Sequence, residues 1–259
     1  LQDQLSRSAL HHAAKSGHST ALQVLLDAKD TLDLRDSGGF TPLHNAALSG
    51  QGAAVQVLVD AKAAVDVQEK HCKSSPLHYA AHEGRSEAAR VLLAAKATVD
   101  IKNRSDATPL REAVFKGHGD VMKVLLDAKA DLDMNLLHCA TEHGHSHAVR
   151  VLLDAKAAVI DVAEEHGQVP VNLALWGGHS AAAQVLLDAK ASLDGKDKDG
   201  KTLLHLAAYC GKFKAVQALL HVEAEVDVKD PFGMTPLHYA VVEGNEEIIQ
   251  MLVASQVSK

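Results

Sequence analysis

At 259 residues with 47% hydrophobic side chains, the chain carries enough apolar surface for one or two packed domains, which excludes a disordered polypeptide. Aromatics make up only 3% while Ala and Leu are abundant, a balance that favours closely packed helices over aromatic-rich strands. The net charge of −7 excludes a general nucleic-acid binder, which needs a basic footprint to displace counterions from phosphate.

The opening LQDQLSRSAL is no signal peptide and lacks an initiator Met, so the sequence is expected to begin inside a longer or processed chain. No apolar stretch approaches the ~20 residues of a membrane span, so direct membrane insertion is not expected. Cys72, Cys139 and Cys210 are odd in number and widely spaced, with no CxxC. That fits neither a disulfide framework nor a zinc ribbon and points to a reducing intracellular compartment, the cytoplasm first, with an organelle left open.

Along the chain one phrase recurs: TPLHNAALSG at 41–50, SPLHYAAHEG at 75–84 and TPLHYAVVEG at 235–244. Aligned copies start at Ser8, Thr41, Ser75, Thr108, Asn135, Val169, Thr202 and Thr235, spaced 33, 34, 33, 27, 34, 33 and 33 residues apart. Nine residues after each start stands a glycine: Gly17, Gly50, Gly84, Gly117, Gly144, Gly178, Gly211 and Gly244. Thr41 suits an N-cap, Pro42 suits the first helical turn, where no N–H is needed, and Gly50 suits a left-handed end; a short inner helix is expected between them. A second apolar run follows each glycine, as in AVQVLVDAK (54–62) and VMKVLLDAK (121–129), with apolar residues three and four apart, and predicts an outer helix. A polar connection then closes each copy, most fully in DVKDPFGMT (227–235), where Pro231 and Gly233 supply turn geometry.

Turn, helix, helix at this period, with the T-P-L-H-x-A phrase, resembles the ankyrin repeat over essentially the whole chain. The resemblance implies an all-α repeat solenoid: helix-turn-helix units joined by β-turn or hairpin fingers, read as a single domain over 1–259. One unit cannot bury its own apolar face, so neighbours must stack. Ala46, Ala47, Ala80, Ala81, Ala207 and Ala208 fit that demand, because small side chains let inner helices approach.

Two departures stand out. Where the family usually has Gly, this chain has Lys29, Lys62, Lys96, Lys129, Lys156 and Lys190, with Glu223 in the seventh copy. A left-handed conformation there costs about 1–2 kcal/mol each, unless the outer helix ends differently. The lysine row is expected to be neutralised by Asp27, Asp60, Asp127, Asp154 and Asp188, two residues earlier, rather than to bind anions. Second, four positions separate Asp133 from Leu137 where ten separate Asp227 from Leu237. Either the stack has a notch there or residues are absent from the sequence. With Ile160 added in the next connection, the fifth copy is the least regular.

Most of the 17 histidines have a structural explanation. His11, His44, His78, His138, His205 and His238 hold the fourth motif position, where the ring is expected to bond back to the N-cap and the preceding turn. His143, His145 and His147 form the one dense cluster, but Gly144 breaks the helix there, so a metal site is not expected. Cys139 beside His138 and Cys210 near His205 lack a third orienting group for nucleophilic catalysis. With no GxGxxG, phosphate loop, GxSxG or HExxH, the reading is a chain with no catalytic residues, no cofactor and no metal.

The non-repeating positions should therefore carry the function. In ankyrin-like proteins the concave surface comprises the finger tips and exposed inner-helix positions. Seven of the eight aromatics map there: Phe40, Tyr79, Phe115, Trp176, Tyr209, Phe232 and Tyr239, with Phe213 the exception. Together with His82 and Lys116, these are the expected contacts of a partner protein, since Tyr and Trp anchor interfaces. The sharpest expectation is an extended peptide or helix docking across copies six to eight. The alternatives are a structural subunit of a multi-protein assembly and a regulatory or targeting arm of a larger enzyme. The partner's identity and pathway are not legible.

Overall fold

A computed structural model describes residues 2–28, 31–133, 135–155, 169–189, 191, 196–197, 199–221 and 223–257. Lys29, Lys156, Ile160 and Lys190 lie outside them. The chain divides into two compact units, Leu1–Asp131 and Leu132–Lys259. Sixteen helices occur among the described residues, with no strand, only isolated bridges at Gln2–Ser8 and Lys196–Thr202.

In the first unit the helices are α1 (Ala9–Ser16), α2 (Ser19–Asp27), α3 (Pro42–Ser49), α4 (Gly52–Asp60), α5 (Pro76–His82), α6 (Ser86–Ala94), α7 (Pro109–Lys116) and α8 (Gly119–Asp127). The second unit holds α9 (Asn135–Glu142), α10 (Ser146–Asp154), α11 (Pro170–Trp176), α12 (Ser180–Asp188), α13 (Leu203–Tyr209), α14 (Phe213–His221), α15 (Pro236–Val242) and α16 (Glu246–Val257). Within each unit odd helices stack on odd and even on even. Thr41 sits in the extended N-cap conformation (φ −95°, ψ 166°), Pro42 opens α3, and Gly50 ends it at φ 76°. The stacked alanines Ala46, Ala47, Ala80, Ala81, Ala207 and Ala208 are buried, as are Leu43, Leu77 and Leu204 on the same helices and Leu110 on α7.

Three sets of polar bonds join neighbouring copies. The motif histidines do more than cap. His44 Nδ1 accepts from the Thr41 N–H at 3.2 Å, while Nε2 bonds to the Ser74 carbonyl, 30 residues ahead, at 3.2 Å. His11, His78 and His205 likewise reach Phe40, Ala107 and Met234 at 3.0 Å. The second bond therefore runs forward to the following finger, not to the preceding turn, because the ring projects towards the next copy. In the second set, the residue after the helix-ending glycine reaches back in four copies: Arg85 to Leu48 O (3.2 Å), His118 to His82 O (3.0 Å), His179 to Glu142 O (2.9 Å) and Asn245 to Ala208 O (3.0 Å). In the third, Asp33, Asp66 and Asp100 accept the main-chain N–H of Ala64, Thr98 and Asp131.

Lys62, Lys96, Lys129 and Glu223 do adopt left-handed backbone, with φ of 72°, 65°, 69° and 59°. The strain is offset by the helix end it permits: Lys96 N–H bonds to Leu93 O and Ala97 N–H to Leu92 O, which lets Ala97 bury. At the shortened connection Asp133 serves the start of α9 directly, its Oδ1 accepting from Asn135 N–H at 3.0 Å.

Candidate binding surfaces

Among the described residues, five fingers between copies are turns closed on themselves by an acidic or amide side chain. Asp36 N–H bonds to Phe40 O at 2.9 Å, and Asp36 Oδ1 accepts from the Gly38 and Phe40 N–H groups. Asn103, Asp197 and Asp230 repeat the arrangement five residues before their caps. Where the spacing grows to 34, the longer Glu69 spans the extra residue, accepting from the His71, Cys72 and Ser74 N–H groups. Burial alone would raise the Glu69 pKa, but these donors outweigh it and hold the carboxyl below its usual range.

In the first unit the Phe40 ring lies 5.0 Å from that of Tyr79, and His44 is 6.0 Å from Tyr79. Phe40 and Tyr79 are consequently half-buried, and burial followed by the Glu69 charge pushes the Tyr79 phenol up. His82 Nδ1 meets Glu83 Oε1 at 2.9 Å. Phe115 is 45% exposed on α7, and Lys116 Nζ sits 5.3 Å from its centroid.

In the second unit Tyr209 and Tyr239 meet edge to face at 6.0 Å, and Lys201 Nζ lies 5.7 Å and 4.9 Å from their centroids. The Tyr239 hydroxyl donates to Asp230 Oδ2 at 2.7 Å; that bond, then burial, pushes its pKa up to about 12. Asp230 is buried, yet the Tyr239 hydroxyl and the Met234 and Phe232 amides overcome the burial and keep the carboxyl low. Phe232 projects from the finger tip at 81% exposure, Trp176 is 48% exposed at the end of α11 and Tyr209 is 47% exposed on α13. Phe213, outside the expected surface, is 37% exposed. Sequence reasoning missed Lys201 and Asp230, which fix Tyr239 in place. Asp230 had a signal in its recurrence five residues before the cap, whereas Lys201 had none.

Among the described residues, no three His, Cys, Asp or Glu side chains converge to hold a metal; His143 and His145 stack at 6.0 Å. None of their helices is long and apolar enough to cross a membrane. No disulfide joins the three cysteines.

Within each unit, paired helices that stack copy on copy, joined by turn fingers, define a helical repeat protein. The chain belongs to the ankyrin-repeat family: the family model described as Ankyrin repeats (3 copies) matches residues 1–71, 54–135, 129–197 and 189–259. No curated protein matches the chain. Ankyrin repeats are generally protein–protein interaction modules and typically non-catalytic.

Proposed function

We propose that this chain is a non-enzymatic interaction module that binds a segment of a partner protein on its inner-helix and finger surface. The observation that carries the reading is the exposure of Trp176, Tyr209 and Phe232 in a chain with few aromatics, since unburied rings on a packed scaffold mark interfaces. Tyr239, held by Asp230 and Lys201, forms a rigid floor beside Tyr209 and lowers the ordering loss on binding. Phe40, Tyr79, His82, Phe115 and Lys116 form a second, flatter contact area in the first unit. On this reading the copies work as one repeat domain in a reducing intracellular compartment. Affinity capture from native lysate tests it: a protein retained by the wild type is expected to be lost with Trp176→Ala plus Tyr209→Ala, and equal retention contradicts the placement.

A further inference from the structure

The first and the last copy each expose one half of the contact that joins neighbouring copies inside a unit. The place of Val241 on α15 is held by Ala14, Ala47 and Ala81 in the first unit and by Thr141, Leu175 and Ala208 in the second, all buried, whereas Val241 is 57% exposed. His238 is exposed as well, although His11, His44, His78 and His205 at the same position are buried. Its Nδ1 accepts the Thr235 N–H at 3.1 Å as in the other copies, but its Nε2 meets no carbonyl among the described residues. At Gly50, Gly84 and Gly144 the side chains of Arg85, His118 and His179 fill the space a Cβ would need, while nothing lies within 4 Å at Gly244. All three features are ones that the following copy covers elsewhere.

The first copy carries the matching half. Ala21 and Val24 are exposed on α2, although the place of Ala21 is buried at Ala54, Ala88, Ala182, Ala215 and Ile248. His18 is exposed at the position from which His118 and His179 reach back to a carbonyl of the preceding copy. The turn ahead of α1 is complete: Asp3 Oδ1 accepts from the Leu5 and Arg7 N–H groups, and the Arg7 carbonyl accepts from Asp3 N–H at 3.0 Å. Phe40 and Met234, which precede their caps as Arg7 precedes Ser8, take a motif histidine on the same carbonyl.

We propose that the eighth copy of one molecule docks the first copy of a second molecule of this chain, head to tail. The incoming α1 covers Val241, α2 packs its Ala21 face on α16, His238 Nε2 donates to the Arg7 carbonyl, and His18 lies over Gly244 and donates to the Val242 carbonyl. A second molecule is the occupant because the face is shaped for the positions of Arg7, His18 and Ala21, and this chain presents that whole set exposed. Such a contact is heterologous, so each added molecule leaves one face of each kind open and assembly runs past the dimer. The inference goes beyond the interaction-module reading and uses neither Trp176 nor Tyr209.

Sedimentation velocity on the full chain from about 1 to 500 μM tests it, a range set by the weak affinity of one small interface. The wild type is expected to pass from monomer to dimer and longer species as concentration rises. Val241→Glu spoils one face and Ala21→Glu the other, both at exposed sites, so each alone should self-associate about tenfold more weakly or not at all. An equal mixture of the two variants holds one intact pair of faces and should form dimers and nothing larger. If circular dichroism shows that a glutamate variant unfolds, Val241→Gln and Ala21→Gln are measured instead, with the same pattern expected. A wild type that stays monomeric, single variants that assemble like the wild type, or a mixture that stays monomeric or grows past dimers overturns the proposal. Trp176→Ala with Tyr209→Ala is expected to leave assembly unchanged; its loss there would place the contact on the aromatic surface and overturn the proposal too.

Discussion

Acidification should loosen the first unit through His44. Its ring is fully buried, Nδ1 already accepts the Thr41 N–H, and Nε2 donates to Ser74 O, so an added proton at Nδ1 would face a donor. Burial accordingly lowers its pKa to about 4, from about 6.5 in an unfolded chain. The unfolded chain then binds more protons below that higher value. The stability is whole above pH ~6.5, declines as pH falls towards about 4, and is fully lost below. At about 1.4 kcal/mol per tenfold in proton affinity, the full loss is about 3 kcal/mol, of which about 2 kcal/mol has gone by about pH 5. His78 and His205 are shifted in the same direction by burial and add to it. Asp3, Glu69 and Asp230 are held low, so their contributions are present above the ordinary carboxylate range and fade only below it. Urea unfolding followed by circular dichroism near pH 7 and pH 5 reads the effect, with His44→Gln as the non-titrating comparison. The variant should show a pH loss smaller by about 2 kcal/mol. An identical loss in both, or an NMR titration placing His44 at its unfolded value, would refute the reasoning.

Gly84→Ala and Gly244→Ala separate backbone strain from copy-to-copy contact, since both residues have φ near +70°. A Cβ at Gly84 would stand 2.8 Å from His118 Nδ1, whereas nothing lies within 4 Å at Gly244. Gly244→Ala should cost about 1–2 kcal/mol of thermal stability and Gly84→Ala clearly more. Lys96→Gly should stabilise by up to about 1 kcal/mol, because relief of left-handed strain exceeds glycine's added entropy in the unfolded chain. Ala81→Leu, at a site with no exposure between stacked inner helices, should lower unfolding free energy by roughly 1–3 kcal/mol.

The helix ends were legible because Thr41, Pro42 and Gly50 each announce a backbone conformation independent of the rest of the fold. The stacking alanines were legible because packing tolerates little else there. The forward reach of the motif histidines was not, since a bond from His44 to Ser74 requires knowing which copy faces the ring. Asp33, Asp66 and Asp100 recur at the repeat period, a signal of a structural duty that composition alone hid among surface acids. The lysines at 62, 96 and 129 posed a conflict between local propensity and fold; the fold prevails because the left-handed turn buries the following alanine. Of the aromatic surface, Trp176, Tyr209 and Phe232 lie open, while Phe40 and Tyr79 lean on each other, a pairing across copies that residue spacing does not disclose.

Calorimetric titration of the captured partner against the wild type and Trp176→Ala plus Tyr209→Ala tests the central claim most directly. The account predicts that affinity falls by more than about 2 kcal/mol while the melting temperature holds. Equal affinity, or a loss that tracks unfolding, would contradict it.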